Sequence, residues 1–306
     1  GGGIAGMVAT IAFEQLGLSV ICADPEPPAQ TKDAVGADLR TTAFLQPSKN
    51  FLENLSLWDS IADHAMPLEV MRIADAGSSE NPPKIRVKKD FQSSDISNQP
   101  FGWNVPNWLI RKELSTAINL KTTATFLAGV KTERIFTRDK EAKVILSNGQ
   151  NLVANLVIGA DGRNSRVRQD VNINIHTKSF GQKAIVFAVT HTNPHCNVST
   201  EIHHSGGPFT LVPLPDYQGI PSSAVVWMVR SEEAMRLMAL AKTEFEKEIT
   251  VRSCYVFGQL KLATKRSIWP IIAQYAQRLN SKRVALVAEA AHVVPPIGAQ
   301  GLNMSL

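Results

Sequence analysis

The chain has 306 residues, of which 44% are apolar and 19% charged, with a formal net charge of +5. That is the composition of an ordinary soluble globular protein of one large or two medium domains, and its charge is too diffuse to point to nucleic acid, though it permits attraction to an anionic membrane surface. Cys22, Cys196 and Cys254 show neither metal nor disulfide spacing, which fits a reducing cytosol, and no apolar run approaches the length of about 18 residues that a spanning helix needs.

The chain opens on Gly1-Gly2-Gly3-Ile4-Ala5-Gly6, a G-x-G-x-x-G pattern. It leads into a helix predicted over 7–16, ended by Gly17, and a strand over 19–23 closed by Asp24. Glycines allowing close approach, a helix N-terminus suited to pyrophosphate and an acid suited to ribose hydroxyls together form a dinucleotide fingerprint. A Gly-containing loop then carries Arg40 to a helix predicted over 47–57; on spacing alone Arg40 is equally a cofactor contact and a surface arginine. Strands over 70–73 and 84–88, split by a loop over 77–83, mark an excursion into a β-rich region, with Lys84, Arg86, Lys88 and Lys89 as the solvated face of an edge strand. A helix over 108–120 carries Arg111, and antiparallel strands follow over 126–138 and 143–146, with Ser147-Asn148-Gly149 as a hairpin turn.

A buried strand over 156–158 runs into Gly159-Ala160-Asp161-Gly162, then Ser165 and three arginines that begin a helix. Asp161 stands where open α/β sheets place ligand-binding groups, and it is also suited to cap the helix with Ser165. Residues 171–281 read as a β-rich layer with strands over 184–191, 198–203, 209–213 and 222–229, and a helix over 231–249 that Ser231 caps. His191, His195-Cys196 and His203-His204 match no zinc spacing, so no metal site is expected. The last stretch sets a strand over 284–287 before the small turn Ala288-Glu289-Ala290-Ala291. Pro295 and Pro296 then fix a rigid bend, and Gly298 and Gly301 leave the backbone approachable where a helix begins near Gln300. The chain starts without Met and stops inside this helix, so it is expected to be incomplete at both ends, lacking a leading strand and a C-terminal segment.

With these three motifs in hand, the chain resembles the FAD-dependent aromatic hydroxylases, the group of para-hydroxybenzoate hydroxylase, and more narrowly the ubiquinone-biosynthesis hydroxylases. The likeness runs over the whole chain and includes residues 40–45, 101–107, 180–184, 207–215 and 225–229. It implies an α/β fold: a Rossmann-like FAD-binding domain from residues 1–68, 101–170 and 282–306, and a β-rich (α+β) substrate domain from 69–100 and 171–281. It implies that Gly1, Gly3 and Gly6 cradle the FAD pyrophosphate and that Asp24 holds the adenosine ribose. Arg40 and Arg111 would lie along the cofactor, and Asp161 would serve FAD and NAD(P)H. Pro295, Pro296, Gly298, Gln300, Gly301 and Asn303 would frame the flavin ring, with the helix dipole near Gly301 favouring negative charge there. NAD(P)H and O2 would be co-substrates, the oxygen passing through a flavin hydroperoxide to a polyprenylated phenol. No protein base is assigned.

The same resemblance implies a cytoplasmic protein peripheral to the inner membrane, working within a ubiquinone-biosynthesis complex. Two departures stand out. Ala288-Glu289 replaces the family's Gly-Asp, whose acid binds FAD, and Gly298-Ala299-Gln300-Gly301 replaces Ala-Gly-Gln-Gly. They keep open a non-catalytic partner that has lost tight FAD binding, beside a hydroxylase of small soluble aromatics and a flavin-dependent reductase of prenyl chains.

Overall fold

The computed structural model of the chain describes residues 1–77 and 81–306. Helix α1 (Ile4–Gln15) and strand β1 (Val20–Asp24) follow the glycine turn, then β2 (Thr41–Leu45), α2 (Gln46–Asn54), α3 (Asp59–Ala62) and β3 (Met66–Leu68). Next come β4 (Val70–Asp75), β5 (Val87–Gln92), β6 (Gly102–Pro106), α4 (Asn107–Asn119) and β7 (Ala124–Ala128). A run of short strands, β8 (Thr132–Thr137), β9 (Ala142–Leu146), β10 (Asn151–Ala154) and β11 (Val157–Gly159), precedes α5 (Arg166–Asp170). The long strands β12 (Ile175–His191), β13 (Val198–His203), β14 (Phe209–Tyr217) and β15 (Ile220–Arg230) lead to α6 (Ser231–Ala239) and α7 (Lys242–Arg252). After them stand β16 (Leu260–Leu262), β17 (Ser267–Ala276), β18 (Asn280–Ser281), β19 (Val284–Leu286), β20 (His292–Val293) and α8 (Gln300–Asn303).

The result is a mixed α/β fold organised around a nine-stranded sheet, in the order β20-β17-β12-β15-β14-β13-β4-β5 with β16 beside β12. Strand alternation sets its two faces apart. Ile185, Phe187, Val189, Ile202, Phe209, Leu211, Val225 and Trp227 point to one side, where Leu237 of α6 and Phe245 and Ile249 of α7 cover them. Each such fully buried side chain is worth roughly 1.5–3 kcal/mol relative to exposure. The opposite face carries a smaller cluster of Ala184, Val186, Met228 and Ile271, against which Trp269 packs.

The nucleotide-side strands form smaller units. β1 pairs in parallel with β7, and β11 pairs in parallel with β19. α1 and α4 supply Met7, Val8, Ile11, Ile110, Leu114 and Ile118 to a core shared with Phe44 and Trp58.

Several expectations change. The strand expected over 126–138 is two strands, because Gly129 adopts a left-handed φ of 77° and sends β7 to β1 while β8 pairs with β9. The hairpin turn at 147–149 joins β9 to β10. The single helix over 231–249 breaks where Leu240 and Ala241 are extended, and Arg266 donates to the freed carbonyls of Leu237 (3.0 Å) and Leu240 (3.0 Å). Ser231 is not its cap; the hydroxyl donates to the Gly181 carbonyl instead. Arg40 precedes a strand rather than a helix, and the strand over 84–88 lies at Val87–Gln92. Part of the loop expected over 77–83 falls outside the described residues. The strand at Ser267–Ala276 went unforeseen because Pro270 interrupts its pattern; Pro270 is tolerated beside a register shift opposite Ser179 and Lys183.

The histidines also find structural places. His191, at the end of β12, and His195, in the loop that follows it, are both buried. His191 stacks on Phe257 at 4.8 Å and contacts the Ser223 hydroxyl (2.9 Å) and the Asn193 carbonyl (2.8 Å), while His195 reaches the Leu214 carbonyl at 3.0 Å.

Candidate functional site

Close packing explains the first and third glycines of the fingerprint. A Cβ on Gly1 would collide with the Ala160 carbonyl, and one on Gly6 with the Gly1 carbonyl, so the turn, α1 and the 159–162 segment interlock only without side chains there. Gly3 differs: nothing lies within 4 Å of where its Cβ would be. Gly3 is also the N-cap of the 12-residue α1, which has no side-chain cap and no acid in its first turn. An uncapped helix start facing open space leaves backbone N–H groups for an anion.

Asp24 is tied to the same turn. Its carboxylate accepts the Gly2 N–H at 2.6 Å and the Glu26 N–H at 2.9 Å. Arg111, from α4, donates to the carbonyls of Gly2 (3.0 Å) and Glu26 (2.8 Å) and stands 3.5 Å from Asp24. Both residues therefore clamp the glycine turn onto β1.

The second and third motifs meet along the β11–β19 pair, extended by the Val287 N–H donating to the Gly159 carbonyl. Asp161 accepts from the Ser165 hydroxyl (2.5 Å) and the Val167 N–H (3.0 Å), fixing the start of α5. The buried Arg168 donates to the carbonyls of Ala290 (2.9 Å) and Arg163 (2.8 Å), which ties α5 to the turn after β19. Burial pushes the Arg168 guanidinium down from its usual range, against the opposing pull of Asp161. Asn303 spends its amide on the backbone: it accepts from Leu45 N–H (2.9 Å) and donates to the carbonyls of Ala43 (2.8 Å) and Ala299 (2.6 Å). It thus fastens α8 to β2, some 260 residues earlier.

Arg40 is held by Asp38 through Nε (2.9 Å) and a terminal nitrogen (2.7 Å). Burial alone would raise the Asp38 carboxyl, but Arg40 and Asn107 outweigh it and hold it below the usual carboxylate range. Glu289 stands 4.0 Å from Arg40 and 3.5 Å from Arg163. Both guanidinium groups lie over the Trp269 ring, at 4.3 and 5.5 Å from its centre. Trp269 Nε1 is buried without a hydrogen-bond partner among the described residues. Ala288, beside Glu289, adopts φ 50°, and Ala299 adopts φ 54°; both are alanines in the left-handed region, each at a position where the chain departs from the family pattern. Such a conformation costs an L-residue about 1–2 kcal/mol.

The structure thus gathers Gly1, Gly3, Gly6, Asp24 and Arg111 in one cluster, with Asp161 adjoining through Ala160. Arg40 and Glu289 form a second cluster. Pro295, Pro296 and Gly298 lie on the largely exposed loop before α8, whose first residues are Gln300 and Gly301, and His292 contacts the Gly301 carbonyl at 3.2 Å. Asp38, Asn107, Arg163 and Trp269 escaped the sequence reading; only Arg163, inside the second motif, carried a signal. An uncapped α1 start with room at Gly3, beside Arg111, fits a dinucleotide such as FAD. Two surface cavities of about 480 and 450 Å³, beside Lys242–Arg266 and Arg168–Ile175, are lined by other residues.

The family model described as FAD binding domain matches residues 1–306. The chain is 31% identical over 306 residues to the ubiquinone hydroxylase UbiL of Rhodospirillum rubrum, covering all of this chain and 68% of that protein. It is 26% identical over 309 residues to the 3-demethoxyubiquinol 3-hydroxylase of Escherichia coli, covering 99% and 75%. Among solved structures, Pseudomonas aeruginosa PqsL in complex with 2-aminobenzoylacetate superposes with a TM-score of 0.80 at 19% identity, over all of this chain and 81% of that one. The p-nitrophenol 4-monooxygenase PnpA of Pseudomonas putida DLL-E4 gives 0.78 at 17%, over 99% and 74%. At these identities the two structures speak for the fold. The chain spans about two thirds of the length of the ubiquinone hydroxylases UbiL and UbiM that it matches.

Proposed function

The chain belongs to the FAD binding domain family of flavin-dependent monooxygenases, and on that premise we propose that it hydroxylates a polyprenylated phenol in ubiquinone biosynthesis, with NAD(P)H and O2 as co-substrates. The observation that carries this reading is the uncapped start of α1 at Gly3, where the turn of Gly1 and Gly6 packs against Ala160 in the second motif. Similarity to ubiquinone hydroxylases over essentially the whole of this chain supports the substrate class.

In this reading the N–H groups at the start of α1 hold the FAD pyrophosphate, with Gly3 leaving room for it and Gly1 and Gly6 letting the turn pack closely beneath. Asp24 and Arg111 order the turn from the adenosine side. Arg40 lines the cofactor's path, and the loop from Pro295 to Gly301 closes over the ring and keeps water from it. Asp161 acts through the backbone it organises. Bound FAD would supply the redox chemistry that couples NAD(P)H and O2 to hydroxylation of the phenol ring, with water as the other product. The protein works at the cytoplasmic face of the inner membrane within a ubiquinone-biosynthesis complex. No helix among the described residues is long and apolar enough to cross a membrane.

Glu289 favours a second reading. Its carboxylate lies between Arg40 and Arg163, and a side chain so engaged is poorly placed for the cofactor contact expected of an acid there. A non-catalytic partner follows if FAD binding has been lost.

The visible spectrum of the purified full-length protein, followed by anaerobic NAD(P)H with and without a prenylated phenol, decides between them. Stoichiometric flavin that bleaches faster with the phenol supports the hydroxylase. Equal acceleration by an unprenylated phenol moves the substrate to small soluble aromatics, and a colourless protein that FAD cannot reconstitute establishes the partner.

A further inference from the structure

The outer edge of the nine-stranded sheet carries an apolar patch that the fold itself does not use. Met71 and Ile73 of β4 are 41% and 45% exposed, and Val87 and Phe91 of β5 are 65% and 45% exposed. Register puts all four on one face: Met71 lies opposite Phe91, and Asp75 opposite Val87. This face is turned away from Ala74, which enters the helix-covered core. Lys89 lies opposite Ile73 among these side chains, and Lys88 projects from the other face of the same edge strand.

Cations predominate along the β5 side of the patch. Residues 84–89 hold four cations. The one carboxylate on β5, Asp90, is already held by Arg72 at 2.8 and 2.7 Å. Of the two acids on the patch face, Asp75 accepts the Gly77 N–H and Glu201 pairs with His203. Lysines on an edge strand are explained by protection against edge-to-edge pairing. That explanation does not cover four exposed apolar side chains gathered on the outer face. An apolar group rimmed by cations is instead the pattern of a surface that enters the boundary of an anionic bilayer.

We propose that the β4–β5 edge docks on an anionic lipid surface, with Met71, Ile73, Val87 and Phe91 entering the interface, Lys89 among them meeting lipid phosphates and Lys88 adding positive charge at the strand's edge. The inference deepens the proposed hydroxylase reading, which calls for a substrate drawn from a membrane, and locates the contact at the sheet edge farthest from β20.

The test is co-sedimentation of the full-length protein with vesicles of phosphatidylcholine alone or mixed with phosphatidylglycerol. Binding is expected only to the mixed vesicles and should weaken as salt is added. Lys88→Glu with Lys89→Glu, and separately Met71→Ser with Phe91→Ser, should each lower the partition about tenfold or more. Lys242→Glu with Lys265→Glu, remote from β5, should leave it unchanged. Circular-dichroism melts identify which variants fold, and either edge pair suffices. Equal vesicle binding by the wild type and a folded edge variant overturns the proposal, as does absence of binding by the wild type. Dissociation of a dimer by the edge variants, with vesicle binding retained, also overturns it and assigns the patch to a second copy of the chain. Hydroxylation of the phenol presented in detergent should persist in both edge variants. Its absence even in the wild type counts against the enzyme reading and leaves the vesicle result standing.

Discussion

The large sheet and the nucleotide-side cluster hold together by different physics. On the large sheet, Phe187, Phe209 and Trp227 meet one another and Phe245 of α7 ring to ring at 5.1–6.4 Å, and the strands bearing the first three need only alternate apolar and polar residues. Around the glycine turn the joining contacts are polar and span long stretches of chain: Asp24 to Gly2, Arg168 to Ala290, Asn303 to Ala43. Apolar packing tolerates a wrong neighbour of similar volume, whereas a backbone tether fails if its donor moves by an ångström. The difference suits their uses. A rigid apolar sheet supports a site, while loops tied by a few directed bonds leave backbone groups free to meet a ligand.

Three changes sharpen or break that contrast. The largest loss of stability is expected in the sheet, where Phe209→Ala empties a fully buried ring site and should cost about 3–5 kcal/mol in urea unfolding. A cost under about 1 kcal/mol would mean that the sheet does not carry the fold. On the other side, stability and binding should separate. Gly6→Ala drives a Cβ into the Gly1 carbonyl and is expected to cost both about 2–3 kcal/mol of stability and FAD binding. Gly3→Ala meets open space, so melting without FAD should shift by less than about 0.5 kcal/mol. Its FAD affinity, read by flavin fluorescence, should nonetheless fall about tenfold, which is roughly 1.4 kcal/mol. An unchanged affinity would remove Gly3 from the cofactor cradle.

The smallest effect is a pH slope in the sheet. Burial depresses the His191 pKa, with the Asn193 carbonyl opposing it and His195 adding to it. The unfolded chain therefore takes up this proton first, near about pH 6.5. The stability of the neutral ring is fully present above that pH and is lost as pH falls from about 6.5 toward the lower folded value. His191→Phe should flatten the dependence of urea stability on pH in that window, and an unaltered slope would assign it to another group.

The sequence determined a good deal by itself. Gly1 to Gly6, helix α1, strand β1 and Asp24 were legible because each is a local signal: turn glycines, a 3.6-residue period, a short apolar run and an acid at its end. Strands β13 to β15 were legible for the same reason, since alternation over a few residues is written in consecutive positions. What only the tertiary structure decided was partnership. That β7 leaves β8 for β1, that β4 and β5 extend the large sheet, and that Trp269 lies beneath Arg40 and Arg163 depend on contacts between residues far apart in the chain. The same holds for Glu289, whose type was plain from the sequence and whose engagement with Arg40 and Arg163 was not. A carboxylate's partner is set by which loops the sheets bring together, and no local period or spacing encodes that.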